Sequence, residues 1–271
     1  MTTPLQTCPV CGSHNTRALF FHPTWCIRVC DHCHNGWTDP CPGKIPYDEE
    51  DFHDSVLSAK QPDQAMAHLP PEWQSSLKQQ VALFQRHVKP GAAVLEVGCG
   101  EGMLMTLLQD AGYRVWGVEP SRSACKRLKT KGMTVFEGFF PQALPDDAPP
   151  FDGVIMSHVL EHIADPDAIF AHVARLAPGG HFMLIQTNWK GLIPRQRGPK
   201  WYAWVPDQHF WHFTPEGLTF IGQRHHFRAA EHEYSSLVHG RRTEKWLAHL
   251  ANVHPAWKDQ FHIMLKHTSN P

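Results

Sequence analysis

The stretch that most constrains the fold runs from Val94 to Gly102 and reads VLEVGCGEG. Apolar residues surround Glu96, three alternating glycines follow, and an apolar helical segment begins at Met103. Strand, glycine turn and helix form the first unit of a doubly wound nucleotide-binding sheet. Glycine lets the backbone approach a ligand that a Cβ would block, and the next helix offers free N–H groups at its N-terminus. The stretch therefore predicts an α/β domain with a nucleotide-like ligand.

The spacing of the glycines distinguishes between cofactors. A dinucleotide fingerprint needs glycine at its first, third and sixth positions, which here are Gly98, Gly100 and Met103. The pattern Glu-x-Gly-x-Gly-x-Gly instead resembles the first motif of class I S-adenosylmethionine (SAM)-dependent methyltransferases. The resemblance implies that Glu96 binds the methionine end of SAM and that the backbone at Gly98, Cys99 and Gly100 surrounds the cofactor. Glycine turns also occur in sheets that bind nothing, so this motif alone leaves both possibilities open.

Further motifs follow in order. The second predicted strand, 113–118, leads to Glu119, 21 positions after Gly98. A carboxylate at that strand tip can accept hydrogen bonds from both ribose hydroxyls. The residues Phe-Asp-x-Val-Ile … Val-Leu-Glu-His-Ile-x-Asp-Pro at 151–166 and the turn Leu-x-Pro-Gly-Gly at 176–180 resemble the same methyltransferase class. Agreement among ordered motifs favours the SAM-binding interpretation.

The resemblance implies a doubly wound, seven-stranded class I methyltransferase sheet with an antiparallel last strand. It also places adenine near Gly138 and Phe139, where the acid often found in the family is missing, and assigns Ser157 and His158 to the cofactor. The remaining strands are predicted at 133–136, 151–156, 181–187, 227–234 and 259–265. Helices are predicted at 73–88, 121–131, 166–176, 215–223 and 243–251.

Two Cys-x-x-Cys pairs, Cys8–Cys11 and Cys30–Cys33, are separated by 18 residues near the N-terminus. This is the spacing of a structural zinc site with four thiolate ligands. A segment this small buries little core, so metal binding would supply its folding energy. Disulfides are the alternative, although a cytosolic setting keeps thiols reduced. Cys26 and Cys41 are additional thiols nearby, and His32 and His34 are the favoured substitute ligands.

After the second pair come Pro46 and an acidic-aromatic segment at 47–52. This order resembles a methyltransferase subgroup that carries an N-terminal zinc ribbon, many of whose members act in glycan or natural-product pathways. We therefore expect a zinc-ribbon module at 1–45, a linker and N-terminal helix at 46–90, and a SAM-binding methyltransferase domain at 91–271.

An insertion at 188–213 follows the fifth predicted strand and is rich in aromatic residues, arginines and histidines. Ligands of open α/β sheets bind outside the carboxyl ends of the strands, and long connections often form binding loops. The arginines can pair with phosphate or carboxylate, and aromatic walls suit a sugar or an aromatic acceptor. Alternatively, the aromatic residues only cover the edge of the sheet. The predicted substrate residues are Arg195, Arg197, Trp201, Trp204, His209 and His212.

Methyl transfer requires few catalytic side chains, because the sulfonium is already a strong methyl donor and positioning supplies most of the catalysis. A hydroxyl acceptor also benefits from a general base, a role that suits neutral histidine at pH 7. The candidate bases are His158, His162, His209 and His212, and His209 is favoured over the others. His162 with Glu161 resembles the Glu-His pair of ubiquinone-type O-methyltransferases, although such a histidine can also be structural.

Charge and length limit the alternatives. The chain has 271 residues and a net charge of −1, so no global basic field attracts nucleic acid or an anionic membrane. Residues 1–60 hold four basic residues against seven acids, which counts against an RNA methyltransferase with a zinc module. The first seven residues do not resemble a signal peptide, and no apolar run approaches the ~18–20 residues of a membrane helix, so we expect a cytoplasmic protein.

Together these features predict a SAM-dependent methyltransferase with a zinc ribbon, acting at an oxygen of a small metabolite or a glycan or natural-product intermediate. A catalytically inactive SAM-binding partner protein is a second alternative that the sequence leaves open. The sequence does not indicate the oligomeric state.

Overall fold

The structure is a computed structural model that describes residues 7–42, 69–236 and 254–268. The helix expected at 243–251 lies outside these ranges. Of the linker and N-terminal helix expected at 46–90, the structure describes residues 69–90. The described residues fall into two compact units. The first lies within Met1–Ile45, His158–Phe170 and Leu184–Leu265, and the second within Pro46–Ser157, Ala171–Met183 and Lys266–Pro271.

The described strands are β1 (Thr16–Phe21), β2 (Cys26–Cys30), β3 (Gly36–Asp39), β4 (Ala93–Val97), β5 (Arg114–Glu119), β6 (Thr134–Glu137), β7 (Gly153–Ser157), β8 (His181–Thr187), β9 (Trp211–His212), β10 (Phe227–Ser235) and β11 (Gln260–His267). The α-helices are α1 (Pro71–His87), α2 (Met103–Asp110), α3 (Arg122–Thr130), α4 (Pro166–Leu176), α5 (Leu192–Arg197) and α6 (Pro215–Gln223). Short 3-10 turns occupy Leu160–His162, Gly198–Lys200 and Pro255–Trp257. Among the described helices, none has the length and apolar character needed to cross a bilayer.

Seven strands form a mixed sheet in the order β10-β11-β8-β7-β4-β5-β6, with antiparallel last strands. Strand β4 pairs in parallel with both β5 and β7, and β5 pairs in parallel with β6. Every residue of β4 is buried, because a central parallel strand is covered on both faces. The predicted seven-stranded methyltransferase sheet is confirmed.

In helix α1 the apolar residues Leu77 and Val81 are only half-buried. The buried residues are Ser76, Gln80, Leu83 and Phe84. The Phe84 ring fits against the backbone of Gly153, where an added Cβ would lie 2.6 Å from the ring. This close approach sets the rotation of the helix, and it depends on a glycine in β7.

The first unit contains a four-stranded sheet in the order β1-β2-β3-β9. Strand β9 comes from the 188–213 insertion and pairs antiparallel with β3, placing Gly36 opposite His212 and Trp37 opposite Trp211. The N-terminal module and the insertion therefore belong to one compact unit. The physical reason is that the three short N-terminal strands bury their apolar side chains against insertion residues: Trp189, Ile193, Trp201, Ala203 and Trp204.

Candidate functional site

The glycine loop after β4 has backbone φ angles that glycine adopts more readily than other residues do. Gly98, Gly100 and Gly102 have φ angles of 70°, 52° and 71°, in the left-handed region that a Cβ disfavours. At Gly102 a Cβ would also lie 2.4 Å from the buried Leu128 side chain. Helix α2 begins at the next residue, Met103. The sequence pattern therefore encodes a tight backbone cradle with free helix N–H groups beside it.

Glu119, the predicted ribose acid, ends β5 and is buried. Its Oε2 accepts a hydrogen bond from the Gly100 N–H at 2.8 Å, and its Oε1 accepts one from the Ser121 N–H at 2.8 Å. The carboxylate is thus fixed against the glycine loop. Each carboxylate oxygen can accept more than one hydrogen bond, which contact with two ribose hydroxyls requires.

Glu96, the acid expected at the methionine end of SAM, is buried within β4, and its Oε2 has no hydrogen-bond partner among the residues that the structure describes. Burial, together with the nearby Glu119 charge, raises the pKa of this carboxyl to about 8, while the N–H of Met105 opposes the shift. A buried acceptor without a donor costs free energy. An ammonium group would satisfy it, so the residues present fit a ligand with an amino-acid tail.

The other predicted cofactor contacts differ in exposure. Gly138 has a φ of 131° and donates its N–H to the Glu119 carbonyl at 2.9 Å, so it lies close to the second strand tip. The Cys99 side chain is buried against Gly117 and leaves only its backbone for a ligand. Phe139 is 53% exposed. Ser157 is the last residue of β7 and is half-buried. Cofactor contact by these residues stays a prediction.

The four cysteines of the two Cys-x-x-Cys pairs meet in one cluster. Their Sγ atoms lie within 4.8 Å of one another, with 3.6 Å between Cys8 and Cys33 and 3.6 Å between Cys11 and Cys30. A tetrahedral Zn²⁺ with Zn–S bonds of ~2.3 Å would separate its sulfurs by about 3.8 Å. The Cys33 N–H also points at the Cys30 Sγ, 3.5 Å away. The four thiols therefore fit a tetrahedral metal.

Glu161, His162 and His209 form a second cluster, which we call the histidine cluster. A carboxylate oxygen and one nitrogen from each ring lie within 4.8 Å of one another, and the two rings are nearly perpendicular with centroids 4.6 Å apart. The N–H of Phe210 donates to the Glu161 carbonyl at 2.9 Å, and this bond joins the insertion to the turn after β7. Such a set could hold a divalent cation or act in proton transfer.

The charges of the histidine cluster are set by burial and by each other. Burial alone raises the pKa of the Glu161 carboxyl, but the hydrogen bond from His158 and the neighbouring histidine charges outweigh burial and lower the pKa to about 2. Burial lowers the pKa of His209 to about 4, although the Glu161 charge opposes this. At pH 7 the cluster therefore combines an ionised carboxylate with a neutral imidazole, the state required of a general base.

Strand β3 of the N-terminal module holds this cluster in place. Thr38 is fully buried, and its hydroxyl donates to the His209 carbonyl at 2.7 Å. The same hydroxyl lies 3.1 Å from Nε2 of His212. Because its proton goes to the carbonyl, the oxygen accepts from His212. The N-terminal module therefore contributes directly to the acceptor-side residues.

Three of the predicted substrate residues are buried. Trp201 and Trp204 are 3% and 2% exposed and belong to the apolar cluster under the four-stranded sheet. His212 is 2% exposed, and its ring contacts Trp204 at 4.9 Å. These rings pack in the interior of the described structure, and substrate contact by them stays a prediction. Arg195 and Arg197 are exposed on α5, and their substrate role stays a prediction.

Two glutamines near the histidine cluster were not predicted from the sequence. Gln186 donates its amide N–H to Oε2 of Glu161 at 2.9 Å, and the Gln260 amide nitrogen lies 2.6 Å from Nε2 of His158. Both glutamines are 1% exposed. A polar side chain in an apolar strand, as at Gln186 in HFMLIQT, was the available signal, because buried polar groups need partners.

Comparison with known proteins also identifies a methyltransferase domain in this chain. A family model described as a methyltransferase domain matches residues 67–232, more than half of the chain. The ubiquinone biosynthesis O-methyltransferase of Rhodopseudomonas palustris (strain BisB18) is 28% identical over 179 residues, which cover 60% of this chain and 70% of that protein. The protein of the same name from Caulobacter sp. (strain K31) is 33% identical over 128 residues, 43% of this chain and only 50% of its own length.

Among solved structures, magnesium protoporphyrin IX methyltransferase from Synechocystis PCC 6803, with bound SAH, aligns with a TM-score of 0.52 and 18% identity. The alignment covers 73% of this chain and 84% of that one, and at this identity it shows the fold. The family match, the fold and the glycine loop lead to one conclusion: the chain belongs to the class I SAM-dependent methyltransferases.

Proposed function

We propose that this protein transfers the methyl group of SAM to an oxygen of a small-molecule acceptor, with His209 as general base. The observation that carries the proposal is the pair formed by ionised Glu161 and buried, neutral His209. The relatives named ubiquinone biosynthesis O-methyltransferases support oxygen as the acceptor atom. The acceptor class is a metabolite or a glycan or natural-product intermediate.

The cofactor residues would bind SAM and orient it for methyl transfer. Glu119 would accept from the ribose hydroxyls while Gly100 and Ser121 hold its carboxylate still. Glu96 would accept from the ammonium group of the methionine tail, which its unpartnered Oε2 favours. The sulfonium supplies the methyl group, so fixing the direction of attack is the main task of these residues.

The residues on the acceptor side would transfer a proton. As the acceptor hydroxyl attacks, His209 would take its proton, and the adjacent Glu161 carboxylate would stabilise the resulting imidazolium, as the acid of a Ser-His-Asp triad does. His162 is the second candidate, since its ring lies 4.6 Å from that of His209. His158 is the weakest candidate, because both of its nitrogens face partners, Glu161 and Gln260.

We also propose one structural zinc ion, held by Cys8, Cys11, Cys30 and Cys33. Four thiolates leave no open coordination position, so the ion would stabilise the module and take no part in catalysis. Thiolate ligation requires reduced cysteines, which suits the cytoplasm.

The charges of the module favour a small acceptor over RNA. Its two described arginines are already paired, Arg17 with Asp31 at 3.1 Å and Arg28 with Asp39 at 2.6 Å. A phosphate backbone requires unpaired basic side chains arranged in a stripe, and these pairs reduce what the module can offer.

Purified protein incubated with methyl-labelled SAM and a panel of hydroxylated aromatic and glycan precursors tests the proposal. We expect transfer to one class, with turnover in His209→Ala reduced by ~10²–10⁴ and turnover in His14→Ala, at an exposed histidine, unchanged. Wild-type turnover in His209→Ala would remove this residue from the mechanism and leave His162 as the base to test.

A further inference from the structure

A chain of buried polar groups leads to Glu161 from the end of β10 and the start of β11. Gln260, at the start of β11, is 1% exposed, and its neighbours Ser235 and His262 are 3% and 0% exposed. Buried polar groups are costly unless they are hydrogen-bonded. A run of them ending at a side chain of the proposed base pair therefore calls for a specific role.

The hydrogen-bond directions along this chain follow from the Gln260 amide. Its Oε1 lies 2.5 Å from the Ser235 hydroxyl and 3.1 Å from Nε2 of His262, both able to donate. Its Nε2 lies 2.6 Å from Nε2 of His158. An amide nitrogen only donates, so Nε2 of His158 accepts with a lone pair. With an acceptor at Nε2, the ring proton of His158 is on Nδ1.

The protonated nitrogen of His158 faces the proposed base pair. Nδ1 lies 3.4 Å from Oε1 of Glu161, and Gln186 donates to the other oxygen, Oε2, at 2.9 Å. With a donor on each oxygen, the carboxylate plane is fixed between His158 and Gln186. The opposite His158 tautomer would point a lone pair at the carboxylate and remove one of the two donors.

We propose that Gln260 is a positioning residue for methyl transfer, which holds His158 as the Nδ1–H tautomer so that His158 and Gln186 together orient Glu161 beside His209. This role rests on the proposed function, in which His209 is the base. The same contacts explain why His158, which directly follows β7, does not serve as the base. Its Nδ1 faces Glu161 and its Nε2 faces Gln260.

Nitrogen-15 NMR of protein with labelled histidine tests the assignment without any turnover. Long-range nitrogen–proton spectra show which ring nitrogen carries the proton, and the signal missing in His158→Asn identifies His158. We expect a protonated Nδ1 and an unprotonated Nε2 in the wild-type protein. A wild-type His158 with the proton on Nε2 would overturn the proposal, because the Gln260 amide would then have the opposite orientation.

Gln260→Glu provides the second arm. A carboxylate at this position has no N–H to donate, so Nε2 of His158 should become protonated, and kcat should fall at least tenfold while SAM affinity stays near the wild-type value. Gln223→Glu makes the same substitution at an exposed glutamine and should change neither. An unchanged His158 tautomer in Gln260→Glu would refute the role, and if that variant fails to fold, the wild-type spectrum still decides.

The two proposals fail in different ways. If no acceptor is methylated but His158 is the Nδ1–H tautomer and responds to Gln260→Glu, the positioning contact stands and the proposed function falls. If methyl transfer depends on His209 but the tautomer is reversed, the function stands and Gln260 loses its role.

Discussion

The cofactor loop and the histidine cluster are built in opposite ways. The first draws its fixed groups from residues 96–121, and the hydrogen bonds that hold Glu119 come from backbone N–H groups of Gly100 and Ser121. The second brings together the turn after β7, Gln186 in β8, His209 in the insertion and Thr38 in the N-terminal module. One site is local and made of backbone; the other is assembled from distant side chains.

This difference has a functional consequence. A loop whose conformation follows from its own glycines suits a cofactor that is the same for every member of a family. A cluster that depends on insertions and added modules can vary while the loop stays the same. Damage to one site should therefore leave the other working, and the following experiments test that separation.

The largest effect is expected from the cysteines. In Cys8→Ser/Cys33→Ser protein we expect the zinc content to fall from one ion per chain to none, because two of four ligands are lost, and the N-terminal module to become protease-sensitive. Turnover should fall at least ~10²-fold, since Thr38 in β3 holds His209, while SAM affinity stays near wild type. Metal analysis, proteolysis and calorimetry measure these quantities.

Cys41→Ser is the matched control, since Cys41 is exposed and lies outside the four-cysteine cluster. It should keep its zinc and its turnover. Undiminished zinc in the double variant would mean that other side chains are the ligands.

A smaller effect is expected at the second strand tip. Glu119→Ala should weaken SAM binding by ~1–3 kcal/mol, about 5–150-fold in Kd, because charge-assisted hydrogen bonds are lost. Titration calorimetry measures the change. Glu137→Ala removes an acid from the end of the neighbouring strand, where the side chain is exposed, and should leave Kd unchanged. Equal losses in both variants would show a general charge effect.

The smallest effect concerns one proton at Glu96. With a pKa of about 8, this carboxyl is mostly protonated at pH 7 in the free protein, and an ammonium group beside it would favour the charged form. SAM binding at pH 7 should therefore release close to one proton, and affinity should rise as pH increases toward 8. Calorimetry in buffers with different ionisation enthalpies counts the protons. Release that persists in Glu96→Gln would assign the proton to another group.

Local rules predicted most of the architecture. At the start of the predicted helix 166–176, Asp165 accepts from the Ala168 N–H at 3.0 Å, and Thr214 caps α6 through the Gly217 N–H. The bounds of β8 agree with the prediction residue for residue. Caps, glycine turns and apolar periods act within a few residues, so the sequence displays them directly.

Pairing between distant segments was not predictable. Nothing in the two residues of β9 indicates that they complete the sheet of the N-terminal module. Without that pairing, Trp201 and Trp204 looked like an exposed wall, whereas they form its core. Side-chain identity shows what a residue can do, but only tertiary contacts determine whether it meets solvent.

The most direct test of the separation between the two sites is SAM calorimetry on Glu119→Ala and His209→Ala protein side by side. We predict that Glu119→Ala weakens SAM binding about 5–150-fold and that His209→Ala binds SAM with wild-type affinity despite its lost turnover. Equal weakening in both variants would contradict the separation of the two sites. Binding of NAD but not of SAM by the wild-type protein would contradict the cofactor assignment itself.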